Sequence, residues 1–85
     1  MYKLELYSRD NCVYCQMAKR LLNAQGLKYQ QYDVTDGTVL ADEMRKRSNQ
    51  LSVPQIFLND EHIGGFEQLT KAIRSGDFMA KIEAG

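Results

Sequence analysis

The chain of 85 residues contains two cysteines, Cys12 and Cys15, three positions apart. That spacing limits how such a chain can hold itself together. A bridge between them would constrain the unfolded state by about 2 kcal/mol, against about 3 kcal/mol for a 15-residue loop. It would tie no distant segments to one another, so a stapled secreted scaffold is excluded. The fold must instead rest on an apolar core, and with 44% hydrophobic residues the chain can fill one. Residues 1–85 are expected to form one domain, and the cysteine pair is left for chemistry.

Charge narrows the partners. Lys+Arg and Asp+Glu both number 11, a formal net charge of zero, which excludes a nucleic-acid binder held by bulk positive charge. The longest basic run, Arg45-Lys46-Arg47, reads as a solvated helix face. No window approaches the roughly 18 apolar residues of a membrane helix. Met1-Tyr2-Lys3-Leu4-Glu5 carries charge where a signal peptide would be apolar. The expectation is a soluble cytoplasmic monomer with no nucleic-acid or membrane partner.

Hydrophobic periodicity gives an element order. Lys3–Tyr7 alternates as a strand, with Leu4 and Leu6 inward and Lys3 and Glu5 outward. Asp10 and Asn11 offer helix caps, and a helix runs from Cys12 to about Gln25 before Gly26. Lys28–Val34 reads as a second strand, Thr35–Thr38 as a turn and cap, and Val39–Ser48 as a second helix. Gln55–Leu58 and Glu61–Ile63 form a hairpin around Asn59-Asp60. Phe66, Leu69, Ala72 and Ile73 mark a third helix ending near Gly76, and Phe78, Met79 and Ile82 one last helical segment. A helix between the first two strands makes them parallel, and the tight turn makes the last two antiparallel. The order β-α-β-α-β-β-α predicts a mixed four-stranded sheet flanked by helices, the α/β layout of a thioredoxin-like fold.

Cys12-Val13-Tyr14-Cys15 sits where the first strand gives way to a helix. Residues three apart on a helix have Cα atoms about 5 Å apart, within disulfide range. The helix N-terminus presents unpaired N–H groups and a positive dipole end, which favour a thiolate. Cys12 at the tip can meet a partner, whereas Cys15 lies one turn in on the apolar face. Cys12 is therefore the candidate nucleophile and Cys15 the resolving thiol. Two cysteines and the distant His62 do not make the clustered ligand set of a zinc site, and no metal is expected. Pro54, the one proline, precedes a strand as either an edge start or a cis peptide.

Tyr7-Ser8-Arg9-Asp10-Asn11-Cys12-Val13-Tyr14-Cys15, Ser52-Val53-Pro54-Gln55-Ile56-Phe57 and Ile63-Gly64-Gly65-Phe66 closely resemble the glutaredoxins of the small bacterial dithiol type. The resemblance covers essentially the whole chain. It implies a glutathione-dependent thiol–disulfide oxidoreductase acting on protein disulfides and glutathione mixed disulfides, with no bound cofactor and glutathione as electron donor. It also implies a cis bond before Pro54. Arg9 would offer charge to the thiolate or to the glycine carboxylate of glutathione, and Tyr14 would line the groove. Ser52, Val53 and Pro54 match Thr-Val-Pro of the family, with Val53 clamping the cysteinyl backbone. Gly64 and Gly65 would admit close approach. The N–H groups of Phe66 and Glu67 would hold the γ-glutamyl carboxylate. Val13 stands where the family commonly has Pro, and Glu67-Gln68 where an acidic pair is usual.

Two other readings carry the same site: a redoxin reduced by thioredoxin reductase, and a glutathione-dependent [2Fe–2S] carrier bridging two chains. Tyr2, Tyr29 and Tyr32 read as strand packing, Met17 and Met44 as core or rim, and His62 as a strand residue without a catalytic part. Gln50 or the basic run would reach the glycine carboxylate.

Overall fold

The computed structural model describes residues 1–35 and 37–84. Asp36, in the expected turn, lies outside the described residues. The elements follow as β1 (Leu4–Ser8), α1 (Val13–Ala24), β2 (Gln30–Asp33), α2 (Val39–Ser48), β3 (Gln55–Leu58), β4 (Glu61–Gly64), α3 (Phe66–Ser75) and α4 (Asp77–Ala84). The sheet order is β2-β1-β3-β4. β1 runs parallel to β2, antiparallel to β3, and β3 antiparallel to β4. This is the mixed sheet that the element order predicts. β2 starts later than expected because Lys28 donates its N–H to the Tyr2 hydroxyl at 2.9 Å, while the ladder to β1 begins at Gln30. Asn59 and Asp60 take φ of 51° and 67°, the left-handed pair that a two-residue hairpin turn requires.

The two faces of the sheet differ. Leu4, Leu6, Ile56 and Leu58 pack on Ala18 and Leu22 of α1, Leu69 of α3 and Phe78 of α4. On the opposite face Tyr7 and Phe57 meet Val34 and Ala41 and Met44 of α2. Tyr2 and Tyr29 pack against the first cluster and Tyr32 against the second, as expected.

The α2 face corrects two expectations. Glu5, expected outward, is 5% exposed, because α2 covers the side of β1 that alternation left for solvent. A buried carboxylate needs a partner, and Arg47 supplies it: Nη2 lies 3.0 Å from Glu5 Oε1 and Nη1 3.2 Å from Oε2. Arg47 is thus not part of a solvated run; only Arg45 and Lys46 are exposed. Its guanidinium also sits 4.0 Å from the Phe57 ring centroid and donates to Tyr7 Oη at 2.7 Å. Tyr7 Oη in turn donates to Glu43. Burial first, then the Glu43 bond, pushes the Tyr7 hydroxyl up to about 12.

Candidate functional site

After β1 the chain turns through Asn11, at φ 59°, and Cys12 itself becomes the N-cap of α1, a part expected of Asp10 or Asn11. Its φ and ψ, −111° and 111°, are extended, and its Sγ accepts the Cys15 N–H at 3.2 Å. The sulfur therefore receives one of the helix donors that have no backbone partner. Cys12 is half-buried, while Cys15 is 0% exposed. Burial foremost, then the hydrogen bond with Cys12, pushes the Cys15 thiol well up, against the lowering effect of the Arg9 backbone N–H and the Lys19 charge. One thiol faces the surface and the other is held protonated in the interior.

The Val53–Pro54 peptide is cis, and the Val53 carbonyl oxygen stands 3.9 Å from Cys12 Sγ. Beside it runs a groove of about 260 Å³ lined by Tyr14, Ser52, Val53, Pro54, Gly65, Phe66, Glu67 and Gln68. The Tyr14 and Phe66 rings flank it with centroids 6.0 Å apart. Seven expected binding residues thus come together around one opening. Arg9 is outside that lining: Nε and Nη2 both donate to the Val34 carbonyl, at 3.1 and 3.0 Å. It borders a separate hollow with Ala41, Met44, Arg45 and Leu51. Met17 is on the exposed rim and Met44 in the core.

At the far end of the groove, Gly65 is the N-cap of α3. A glycine has no side chain to cap with, and Gln68 supplies one in reverse, its Oε1 accepting the Gly65 N–H at 2.9 Å. Gln68, singled out in the sequence as a departure from an acidic pair, is a helix-capping residue here. Gly64 has φ of 124°, and a Cβ there would fall 2.8 Å from both Cβ and Cγ of Gln68. Only glycine fits that left-handed, crowded position. Glu67 turns outward to Lys71, 3.2 Å away. The N–H groups of Phe66 and Glu67 open α3 toward the groove and are the donors an anion would meet.

Sequence reasoning passed over Gln55 and gave His62 no part beyond its strand. His62 does lie in β4 and stacks on Phe57, ring centroids 4.9 Å apart. Its Nε2 is also 2.7 Å from Gln55 Oε1. Gln55 Nε2 donates to the Ser52 carbonyl at 3.0 Å, with Ser52 Oγ at 3.4 Å. Ser52, Gln55 and His62, with Gln50 and Gln68, line a second cleft of about 380 Å³ that shares Ser52, Gly65 and Gln68 with the groove. The signal was in the hairpin register, since a turn at Asn59-Asp60 sets His62 opposite Phe57 and one pleat from Gln55. Burial foremost, then the Arg47 charge, lowers the His62 pKa below its ordinary value. Among the described residues, no cluster of three or more His, Cys, Asp or Glu could hold a metal ion, and no helix is long and apolar enough to cross a membrane.

The family model described as Glutaredoxin matches residues 4–63. Glutaredoxin 3 of Escherichia coli K12 is 39% identical over 69 residues, 81% of this chain and 83% of its own. A glutaredoxin of Neisseria meningitidis is 40% identical over 77 residues, covering 89% of this chain and 91% of its own. Among solved structures, a buckwheat glutaredoxin–glutathione complex superposes with a TM-score of 0.85 at 26% identity, over 98% of this chain and 78% of its own.

Proposed function

The chain belongs to the glutaredoxin family and is a glutathione-dependent thiol–disulfide oxidoreductase with the thioredoxin-like fold, and from that premise we propose that Cys12 is its nucleophile and Cys15 its resolving thiol. The observation that carries the assignment is the capping of Cys12 Sγ by the Cys15 N–H at the head of α1, beside the groove. Toward a glutathionylated thiol, Cys12 thiolate attacks the glutathione sulfur. The Cys12–glutathione disulfide forms, and the freed thiolate leaves and takes a proton. A second glutathione thiolate then attacks that disulfide, giving oxidised glutathione and Cys12 thiolate. Toward a protein disulfide, Cys12 forms the mixed disulfide and Cys15 attacks it. The substrate dithiol is released, and two glutathione molecules reduce the Cys12–Cys15 bond. The electrons come from glutathione throughout.

In the same reading glutathione lies along the groove. Its cysteinyl backbone pairs with Val53 as an added strand would, between Tyr14 and the Ser52-Val53-Pro54 segment. The γ-glutamyl carboxylate meets the N–H groups of Phe66 and Glu67, with Gly65 allowing close approach. The glycine carboxylate points toward Gln50 and the cationic Arg9 side. Residues 1–85 act as one domain, as a monomer in the cytoplasm, with no resident cofactor.

The test is NADPH-coupled turnover of a glutathione mixed disulfide, with electrons from glutathione and glutathione reductase or from thioredoxin reductase alone. Turnover is expected only with glutathione. Cys12→Ser should be inactive, and Cys15→Ser should keep deglutathionylation while losing reduction of protein disulfides. Activity retained in Cys12→Ser would overturn the assignment.

A further inference from the structure

Gln55 is 4% exposed, and both ends of its amide are bonded: Nε2 donates to the Ser52 carbonyl at 3.0 Å, and Oε1 faces His62 Nε2 at 2.7 Å. A buried amide in that position cannot flip without losing both bonds and setting its oxygen against the Ser52 carbonyl. With Nε2 donating to Ser52, only Oε1 remains for His62, so the imidazole must present Nε2–H. Neither Gln55 nor His62 lines the groove beside Cys12; both line the second cleft, which adjoins the groove at Ser52, Gly65 and Gln68.

The Ser52 carbonyl is not an arbitrary acceptor. It shares a planar peptide unit with the Val53 N–H, and in a trans unit the two point in opposite directions. Within the Ser52–Pro54 segment only the following bond, Val53–Pro54, is cis. Whatever fixes the Ser52 carbonyl therefore aims the Val53 N–H away from it. We propose that Gln55 and His62 are positioning residues for glutathione: Gln55 sets the Ser52–Val53 peptide plane so that the Val53 N–H faces the bound tripeptide, and His62 locks the Gln55 amide in the one orientation that does so. This rests on the reading of Val53 as the glutathione clamp.

The effect is confined to substrates with a peptide backbone for Val53 to hold. Two mixed disulfides of one cysteine peptide separate it, one capped with glutathione and the other with 2-mercaptoethanol. The unaltered protein should prefer the glutathionyl peptide; equal rates on both would sink the clamp reading itself. Gln55→Leu keeps the volume and removes both bonds. It should raise KM for the glutathionyl peptide about fivefold, the size of one lost hydrogen bond, with kcat little changed. The 2-mercaptoethanol peptide should be turned over as before. His62→Phe keeps the stack on Phe57 and removes the donor, and should act in the same direction; His62→Gln restores an N–H and should recover most of the loss. Should Gln55→Leu fail to fold, the two His62 variants decide the matter alone. Unchanged KM values, or equal losses on both peptides, overturn the positioning role and leave the clamp standing.

Discussion

Cys12 and Cys15 are the same residue type one helical turn apart, and their surroundings differ sharply. Cys12 Sγ accepts an N–H and is half-buried; Cys15 is sealed under α1 with its thiol pushed up by burial and by the bond to Cys12. When Cys12 is tied up in a mixed disulfide, its hydrogen bond and its charge no longer raise Cys15, and burial alone remains to do so. On the roles proposed above, Cys15 is readied as resolving thiol by the step that precedes it. A raised thiol pKa means a small thiolate fraction that grows tenfold per pH unit below the pKa. The rate at which Cys15 releases a peptide from the Cys12 mixed disulfide should then climb steadily between about pH 6 and 9, the range that spans ordinary thiol ionisation. Stopped-flow release of a fluorescent peptide measures it. A plateau beginning near neutral pH would mean that Cys15 is already ionised and that burial does not govern the step.

At the scale of elements, the placement of α2 over the sheet is what the chain order left open. Strands, helix stops and the directions of the first and last strand pairs were legible because Gly26, Gly76 and Asn59-Asp60 carry unambiguous turn chemistry, whereas the antiparallel β1–β3 pair at the centre of the sheet was not read. The cysteine pair and the groove residues were legible for a similar reason, their motifs being contiguous in sequence. Alternation along Leu4-Glu5-Leu6 told which residues share a face. It did not tell that a helix covers the other face, so Glu5 and the Arg47 that neutralises it were misplaced together. Gln68 escaped because a glycine N-cap hides the reciprocal half of a capping pair. The Glu5–Arg47 pair joins β1 to α2 with side-chain exposures of 7% and 23%. Arg47→Ala leaves the buried carboxylate without its counter-charge, at a cost of about 3 kcal/mol. Tm should fall by about 15 °C in a chain of this size. Replacing both partners with apolar residues, Glu5→Leu with Arg47→Met, should recover most of that fall, since no charge is then stranded. Differential scanning calorimetry of the single and double variants reads it directly, and a double variant no better than Arg47→Ala would assign the loss to packing against Phe57 instead.

The whole molecule has a Cα radius of gyration of 12.1 Å, near the roughly 12 Å that a single folded chain of this length adopts. Its exposed large apolar side chains do not form one face. Val13, Tyr14 and Met17 crown α1 around Cys12, Val39 and Leu51 lie on the α2 side of the sheet, and Met1 is the first residue, ahead of β1. A stable dimer of ordinary size buries about 800 Å² per partner, a large share of a chain whose accessible surface totals 5256 Å², and the crown at Cys12 is a small apolar start for one. That crown suits a passing substrate that must approach the thiol and leave. Two chains sharing a [2Fe–2S] cluster through Cys12 would have to bury it permanently. Protein prepared without oxygen and with glutathione should therefore sediment as one chain and show no visible absorption. A coloured species of twice the mass, lost when glutathione is removed, would move the crown from substrate contact to subunit contact and make cluster binding the occupant of the Cys12 site.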